Sequence, residues 1–320
     1  MVASLAPGEH ELDLVVTAKR RVARDAVQLE LRDAQGAELP AWTPGAHVDV
    51  VLGDDVVRQY SLAGSPNDRC VWKLGVLRVA DGRGGSILIH DSLVPGAKVR
   101  LRGPRNHFEL VKSPRYIFLA GGIGITPISP MVAAAQAAGA DWSLHYGGRS
   151  RDSMVFADSL VAAYPDNVTL WPEDQCGLLD LPSLVGAPQP DTKVYCCGPE
   201  GLLRATEQLC AQWPSGSLHV ERFSPKEVAP TKTAAFHVRL ERSGISVEVP
   251  PGTSIMEALR EAGVDVPSSC EEGICGTCET GVLGGAPEHR DSVLTIEEQT
   301  MSHTMMICVS RGLTDLVLDL

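Results

Sequence analysis

The chain changes its hydrophobic pattern near residue 110. Before that point, short stretches alternate between apolar and polar residues, and Gly, Pro and Asp separate them, as in LDLVVTAKR, AVQLELRD, HVDVVL and WKLGVLRVA. Such alternation is typical of strands with one buried face, and many short strands with turns between them favour an antiparallel barrel. We therefore predict a β-barrel over residues 1–110.

Residues 111–224 combine apolar strands with helical stretches. The first unit, RYIFLAGGIGITPISPMVAAAQAAG, predicts a strand, a glycine turn and an Ala-rich helix from about residue 128 to 138. Further strands are predicted at WSLHYGG and VTLWPE, a helix at SMVFADSLVAAY, and a strand, turn and helix at KVYCCGPEGLLRATEQLCAQW. Strands that alternate with helices indicate a parallel α/β sheet.

The remaining part begins with a segment that has no apolar periodicity. FSPKEVAPTKT contains two prolines and two lysines, and we place an interdomain linker at residues 225–232. Residues 233–320 then predict a hairpin that turns at Ser243 and Gly244, a helix with Ser254 near its N-cap, and late strands at MMICVSRG and DLVLDL.

Composition and charge narrow the functional classes. Hydrophobic residues make up 44% and charged residues 21% of 320 residues, which is ordinary globular composition. No apolar stretch is long enough for a membrane span, and the acidic beginning of the chain is unlike a signal peptide, so we expect a cytoplasmic protein without a membrane partner. The net charge of -12 argues against nucleic acid as a partner.

The acidic excess is concentrated in residues 233–320. This segment has 14 Asp and Glu against 5 Lys and Arg. Two interpretations remain open: a well-solvated acidic surface, or a docking face for a basic partner.

Four of the nine cysteines have a spacing that suggests a metal centre. Cys270, Cys275 and Cys278 form C-x4-C-x2-C, and Cys308 follows after 29 further residues. A zinc ribbon needs a second close pair, whereas this spacing is the plant-type ferredoxin arrangement for a 2Fe-2S cluster. A zinc site, a redox dithiol and four merely packed thiols are the alternatives. We predict that these cysteines ligate a 2Fe-2S cluster.

Two turns in the α/β part have nucleotide-binding chemistry. LAGGIGITP follows a predicted strand and opens a helix, so Gly121, Gly122 and Gly124 would let backbone amides approach a pyrophosphate. In YCCGPEGLL, Cys197 begins a sharp turn at the end of another strand, where it could face a nicotinamide ring. The alternatives are an ordinary tight turn in the first case and a small buried residue in the second.

The choice between NADH and NADPH should depend on YGGRSRDSMVF. Arg149 and Arg151 could meet the 2′-phosphate of NADPH, whereas Asp152 could bond the free 2′-hydroxyl of NADH. These residues alone leave the choice open.

The barrel part carries two stretches suited to a phosphate-bearing cofactor. In VRQYSLAG, Arg58 could neutralise a phosphate, Tyr60 could lie against an aromatic ring system and Ser61 could hydrogen-bond a ring edge. GRGGS before an apolar run predicts a helix N-terminus that offers amides and a hydroxyl to a phosphate. An ordinary strand and turn is the alternative.

Taken together and in this order, RQYS, GRGGS, GGIGITP, YCCGP and the cysteine set resemble the phthalate dioxygenase reductase family. The resemblance covers nearly the whole chain, including HVERF, VPSSC, HRDSVL and DLVLDL. It implies a multidomain β + α/β + α+β fold with an antiparallel six-stranded flavin-binding barrel, a Rossmann-like NAD domain and a C-terminal β-grasp ferredoxin domain.

The resemblance also implies the cofactors and the residues that hold them. The flavin is expected to be FMN, with FAD as the alternative, and NADH is favoured over NADPH. The expected flavin contacts are Arg58, Gln59, Tyr60, Ser61, Gly75, Val76, Leu77, Arg83, Gly84, Gly85, Ser86, Thr126 and Phe223. The expected nucleotide contacts are Gly121, Gly122, Gly124, Thr126, Pro127, Arg149, Cys197, Gly198 and Pro199. Ser61, Cys197 and Phe223 are expected to lie at the reacting rings.

The implied function is electron transfer. Hydride from NADH would reach the flavin without a protein acid or base, and single electrons would leave through the cluster to a Rieske non-haem iron oxygenase of the aromatic ring dioxygenase or O-demethylase type. The alternatives are electron supply to a haem-thiolate monooxygenase, a quinone or ferric reductase, and a redox-sensing binding protein. We expect the partner to dock near Glu271, Glu272 and Glu279.

Overall fold

The computed structural model describes residues 9–53, 56–226 and 234–320. They fall into two compact units, one up to Glu221 and one from Arg222 onward. The predicted boundary after residue 110 therefore lies inside the first unit, and most of the predicted linker lies outside the described residues. No described helix has both the length and the apolar character needed to cross a bilayer.

The first unit begins with a six-stranded antiparallel sheet, as predicted. The strands are β1 His10–Ala23, β2 Ala26–Asp33, β3 His47–Val51, β4 Val57–Ser61, β5 Trp72–Leu77 and β6 Lys98–Arg105, and helix α1 spans Gly85–Ser92. Their order is β4-β3-β6-β1-β2-β5. An antiparallel bridge between Leu62 and Leu74 joins the two ends, so the sheet closes around a core that includes Trp72.

The second part of this unit is a parallel five-stranded sheet in the order β11-β10-β7-β8-β9. The strands are β7 Arg115–Gly121, β8 Asp141–Gly148, β9 Val168–Pro172, β10 Thr192–Cys197 and β11 Leu218–Glu221. The helices are α2 Ile125–Ala137, α3 Ala157–Ala163, α4 Glu173–Cys176, α5 Leu181–Val185 and α6 Glu200–Leu209. The predicted parallel α/β architecture is thus confirmed.

Two predicted helices have different bounds in the structure. Helix α2 begins at Ile125 rather than near residue 128, because Pro127 lies in its first turn, where no amide hydrogen is needed. The stretch SMVFADSLVAAY is not one helix: a 3-10 turn, Arg151–Ser153, precedes α3. Between them Phe156 has a φ of +62°, in the left-handed region, so α3 begins only at Ala157.

The second unit contains a five-stranded sheet in the order β13-β12-β18-β14-β16. Its elements are β12 Phe236–Leu240, β13 Ser246–Val249, α7 Ile255–Glu261, β14 Glu279–Gly284, β15 Pro287–Glu288, α8 Ile296–Met301, β16 Thr304–Met306, β17 Arg311–Gly312 and β18 Leu316–Leu318. Ser254 is the N-cap of α7, as predicted: its hydroxyl accepts from the Glu257 amide at 3.1 Å, and the Glu257 carboxylate accepts from the Ser254 amide at 2.8 Å.

The predicted strand at MMICVSRG ends early. Strand β16 stops at Met306, because the amides of Val309 and Ser310 both turn back to the Met306 carbonyl, at 3.3 and 2.9 Å. This turn places Cys308 on a loop rather than in a strand.

Candidate functional site

The four predicted metal-ligating cysteines lie in two loops of the second unit. Three are in the loop between α7 and β14, and Cys308 follows β16. All four are free thiols with at most 9% of their surface exposed. Backbone amides already point at two of the sulfurs: Glu272 N lies 3.3 Å from Cys270 Sγ, and Cys270 N lies 3.5 Å from Cys275 Sγ. Amides directed at sulfur are the environment that an iron–sulfur cluster requires.

The backbone of the cysteine loop depends on glycine at two positions. Gly273 and Gly276 have φ angles of +70° and +77°, in the left-handed region that side chains disfavour. A Cβ at Gly273 would also lie 2.6 Å from Cγ2 of Val309, next to Cys308. The two cysteine loops therefore approach each other closely at this glycine.

The segment HRDSVL, which the sequence analysis named only as part of the family resemblance, supports the loop. The buried carboxylate of Asp291 accepts from the amides of Val293 and Leu294 at 3.1 and 2.8 Å, and the Ser292 amide donates to the Gly273 carbonyl at 2.8 Å. HRDSVL thus has a structural role beside the cluster loop. In the sequence, the feature that could have indicated this role is Asp291 just before the apolar residues Val293 and Leu294.

The described residues contain no site for a single metal ion, because no three His, Cys, Asp or Glu side chains among them converge on one position. A 2Fe-2S cluster distributes four thiolates over two irons, so it does not need such convergence. The buried thiols, the amides directed at sulfur and the left-handed glycines fit this cluster.

The predicted flavin-phosphate site lies at the N-terminus of α1. Gly84 is the N-cap, with a φ of +79°, and the Arg58 guanidinium donates to the Arg83 carbonyl at 2.7 Å. A Cβ at Gly85 would lie 2.5 Å from Cγ of Arg58, so glycine is required for the arginine to pack there. Ser86 uses its hydroxyl to accept from the Val79 amide at 3.0 Å. The helix N-terminus and the Arg58 guanidinium form a cationic site suited to phosphate.

The opposite end of α1 is held by basic side chains from the barrel. Lys19 of β1 donates to the Ile89 carbonyl at 3.1 Å, and Arg78 forms two contacts with Asp91, at 2.7 and 3.2 Å. His90 Nε2 lies 3.0 Å from the Val76 carbonyl of β5. These contacts fix the direction in which the helix presents its N-terminal amides.

Strand β4 divides its predicted flavin residues between two faces. The Gln59 side chain donates to Asp49 at 2.8 Å, whereas Arg58 and Tyr60 alternate with it and point to the other face. Burial raises the pKa of Tyr60 to about 12, so its ring remains neutral. Any contact of Gln59 with the cofactor would therefore be made by its backbone.

The barrel and the glycine turn meet around Ser61. The Leu62–Leu74 bridge sets the register so that Ser61 lies opposite Gly75 of β5. A Cβ at Gly75 would lie only 2.6 Å from Cγ2 of Thr126, at the start of α2. Ser61 is 4% exposed, and its hydroxyl has no hydrogen-bond partner among the described residues. A buried unsatisfied hydroxyl is costly, and the polar edge of a flavin ring would satisfy it.

Other predicted flavin residues take mainly structural positions. Val76 is fully buried in the barrel core, and Leu77 packs against the core of the α/β part. Phe223 belongs to the second unit and is 42% exposed. Its stacking on a flavin remains a prediction.

The two predicted nucleotide turns lie against each other at the carboxyl ends of β7 and β10. A Cβ at Gly124 would lie 2.2 Å from the Cys197 carbonyl oxygen, and one at Gly121 would lie 2.5 Å from Cδ of Pro199. The Tyr146 hydroxyl donates to the Gly122 carbonyl at 3.0 Å and supports the turn from β8. Pro127 is buried in α2 below this turn.

A residue that sequence reasoning did not name lies beside Cys197. Glu221 ends β11 in register with Cys197, and the thiol donates to Oε2 of Glu221 at 3.9 Å. Burial raises the pKa of Glu221 to about 8, and burial together with this carboxylate raises the pKa of the Cys197 thiol well above its usual value. Both shifts favour the protonated groups near neutral pH, and a protonated Cys197 thiol is a poor nucleophile.

The comparisons with known proteins agree with this arrangement. Residues 13–110 match the oxidoreductase FAD-binding domain family, and residues 238–311 match the 2Fe-2S iron-sulfur cluster binding domain family. The chain is 41% identical over 301 residues to the phenoxybenzoate dioxygenase subunit beta of Ectopseudomonas oleovorans, covering 93% of this chain and 94% of that one.

Two of the solved structures that cover nearly the whole chain differ in their own length. The first is a phthalate dioxygenase reductase, described as a modular structure for electron transfer from pyridine nucleotides to [2Fe-2S]; it is 38% identical, with a TM-score of 0.70 and coverage of 97% of this chain and 98% of that one. The second is an intact type IV self-sufficient cytochrome P450 monooxygenase, 46% identical with a TM-score of 0.91. The match covers 97% of this chain but only 41% of that longer chain. These findings confirm the resemblance and the three-part architecture.

Proposed function

Because this chain belongs to the phthalate dioxygenase reductase family, we propose that it takes hydride from NADH onto FMN and delivers single electrons through a 2Fe-2S cluster to a Rieske non-haem iron oxygenase. That the chain is an oxidoreductase with a flavin-binding domain and a 2Fe-2S domain follows from the family itself. The type of flavin, the coenzyme and the partner belong to the proposal.

Close contacts link Ser61 of the barrel to the glycine turn and to Cys197, and they are the main support for the proposal. The unpaired buried hydroxyl of Ser61 lies opposite Gly75, which contacts Thr126 at the glycine turn, and that turn packs against Cys197. Ser61 and Thr126, expected at the flavin ring, and Cys197, expected at the nicotinamide, are therefore connected by close contacts within the first unit, whereas Phe223 belongs to the second. Hydride transfer requires this juxtaposition.

The protein's own residues would bind the cofactors, orient them and keep negative charge away from the reacting rings. A bound flavin supplies acceptance of two electrons as hydride and their release one at a time, and a 2Fe-2S cluster supplies one-electron transfer. Ser61 would donate to the ring edge, Arg58 and the α1 amides would hold the phosphate, and Gly121 and Gly124 would admit the coenzyme backbone. Protonated Cys197 and Glu221 would keep negative charge away from the reacting rings.

The chemistry of the phosphate site favours FMN over FAD. A terminal phosphate monoester carries up to about two negative charges, whereas each phosphate of a dinucleotide carries one. The Arg58 guanidinium and the N-terminal amides of α1 concentrate positive charge at one position, which suits the more highly charged group. The flavin released by acid identifies which cofactor is bound.

A second candidate acceptor is a haem-thiolate monooxygenase. The observation that favours it is the 46% identity to the self-sufficient cytochrome P450 chain, which contains a matching segment. The similarity to a dioxygenase subunit over 93% of this chain favours the Rieske partner. Reconstitution with each type of purified oxygenase, with NADH consumption coupled to product formation as the readout, separates them.

One of the three acidic residues predicted for partner docking, Glu271, is paired with a basic side chain. Arg260 forms an ion pair with Glu271 and donates to the Ser268 hydroxyl at 2.7 Å, and this guanidinium lowers the pKa of Glu271. Because Arg260 neutralises Glu271 locally, we expect Glu271 to contribute less to partner attraction than its formal charge suggests. Docking near the three acidic residues remains part of the proposal.

The test is an absorption spectrum of the purified protein before and after anaerobic addition of NADH, together with chromatography of the acid-released flavin. The expected result is FMN, bleaching of the flavin bands and loss of cluster absorption, followed by rapid cytochrome c reduction. Absence of flavin bleaching by any nicotinamide coenzyme would overturn the proposal. Slow turnover even with excess cytochrome c would favour a sensor instead.

A further inference from the structure

The segment after β8 lies where the adenosine end of a dinucleotide is expected. Strand β8 pairs in parallel with β7, and Gly147 is in register with Gly121 of the glycine turn. Ligands of open α/β sheets bind at the carboxyl ends of the strands, and the residues after the second strand meet the 2′ position of the adenosine ribose. Arg149, Arg151 and Asp152 follow this strand directly.

Asp152 is already committed to other groups. Its Oδ2 lies 2.5 and 2.8 Å from two nitrogens of the Arg24 guanidinium, and its Oδ1 accepts from the Ser150 hydroxyl at 2.5 Å. The Arg24 amide also donates to the Asp152 carbonyl at 2.8 Å. This carboxylate therefore ties the segment to the barrel. Because it is paired with Arg24, the carboxylate is not available to accept from a ribose 2′-hydroxyl or to repel a 2′-phosphate.

Arg151 is also engaged. Its guanidinium lies 2.5 Å from Oδ1 of Asp158 in α3. Arg149 differs from it: within the part of the chain that the structure describes, its exposed side chain has no hydrogen bond or ion pair. Its backbone is fixed, because the Asp174 amide at the start of α4 donates to the Arg149 carbonyl at 3.2 Å. The exposed Arg149 guanidinium therefore lies directly after the end of β8.

The loop after α4 places apolar side chains at or near the end of β8. A Cβ at Gly147 would lie 3.2 Å from Cδ1 of Leu179, so this loop packs against the end of β8. The preceding residue, Leu178, is 79% exposed. An exposed leucine on a loop that packs against the end of β8 offers an apolar surface suited to an adenine ring.

We propose that this enzyme uses NADPH as well as NADH, and that Arg149 is the specificity-determining residue that binds the 2′-phosphate. The proposal rests on the proposed hydride transfer from a nicotinamide coenzyme and extends it from NADH to both coenzymes. The acidic residue that would discriminate against NADPH is paired with Arg24, while the guanidinium that binds phosphate well is unpaired. NADH is still accepted, because the contacts at the glycine turn are common to both coenzymes.

The kinetic test compares kcat/KM for NADPH and NADH in the holoenzyme, with ferricyanide as acceptor. Arg149→Ala is expected to lower kcat/KM for NADPH at least tenfold through KM, and to leave the value for NADH within about twofold. Arg149→Lys, which keeps the charge, should restore part of the loss. Arg151→Ala is the matched control, and it should change neither value by more than about twofold because its guanidinium is paired with Asp158.

A binding measurement supplies a readout apart from turnover. Isothermal titration of the wild-type holoenzyme should show 2′,5′-ADP binding at least fivefold more tightly than 5′-AMP, since the two ligands differ only in the 2′-phosphate. Arg149→Ala should remove this difference. If Arg149→Ala does not fold, the wild-type comparison of the two ligands decides by itself.

Three results would overturn the inference: wild-type kcat/KM for NADPH more than about a thousandfold below that for NADH, equal binding of the two adenosine ligands, or an equal loss for both coenzymes in Arg149→Ala. In each case NADH still reduces the flavin, so the proposed function stands. If neither coenzyme reduces the flavin, the proposed function itself fails.

Discussion

Replacement of Glu221 by Gln should change how the stability of the first unit depends on pH. The unfolded carboxyl has a pKa near 4.5, and burial raises the folded pKa to about 8. Between these values the folded protein binds more protons than the unfolded chain, so stability falls as pH rises. The decrease stops above about pH 8, where both states are ionised.

The size of the effect follows from this window. Each pH step within it changes the free energy of unfolding by about 1.4 kcal/mol, so wild type should lose roughly 2 kcal/mol between pH 6 and 8 through this one group. Gln has nearly the same shape as the protonated side chain and can still accept from the Cys197 thiol. Glu221→Gln should therefore gain stability relative to wild type by roughly 2 kcal/mol across this range.

Urea unfolding followed by tryptophan fluorescence measures the difference. All five tryptophans precede Arg222, so the signal reports on the first unit. Glu173→Gln is the control, because Glu173 is exposed in α4 and should show no pH-dependent difference from wild type between pH 6 and 8. A difference between Glu221→Gln and wild type that stays constant from pH 6 to 9 would refute the reasoning.

Three further predictions concern the path of electrons and the coenzyme. Cys308→Ser should abolish the visible cluster absorption and cytochrome c reduction while NADH still bleaches the flavin; cytochrome c reduction at the wild-type rate would contradict the proposed order of electron transfer. Gly124→Ala should raise the KM for coenzyme at least about tenfold, because its Cβ would meet the Cys197 carbonyl at 2.2 Å. Gly201→Ala, which enters open space in α6, should leave KM unchanged, and equal effects of the two variants would argue against the close approach. Transfer to the oxygenase should weaken as salt is raised from about 0.05 to 0.5 M, and a flat response would remove the role of acidic docking.

Much of the fold could be predicted from local patterns. Alternating apolar positions predicted the barrel strands, and alternating strands and helices predicted the parallel sheet, because periodicity reports which face of an element is buried. One error fell where the backbone conformation of a single residue overrides local preference. Phe156 adopts a left-handed φ of +62°, so the helix begins only at Ala157.

The candidate site could be predicted in part. The cysteine spacing indicated the cluster, since ligands close in sequence must share one loop, and the 2Fe-2S family match agrees with it. Glu221 could not be found in this way. It is 24 residues from Cys197 and approaches it only because β10 and β11 pair in parallel with these residues in register.

The residue types and their spacing specify the set of chemical groups: the cysteine ligands, the glycine turns, the arginines near the phosphate site and the acidic C-terminal part. Which of those groups are available depends on the fold. Arg149, Arg151 and Asp152 are nearly adjacent in the chain, and no local rule distinguishes them. Long-range pairing of Asp152 with Arg24, 128 residues away, and pairing of Arg151 with Asp158 leave Arg149 as the exposed charge at this position. The physical reason is that a charged side chain is satisfied by whichever partner the fold brings close, and sequence distance does not record that.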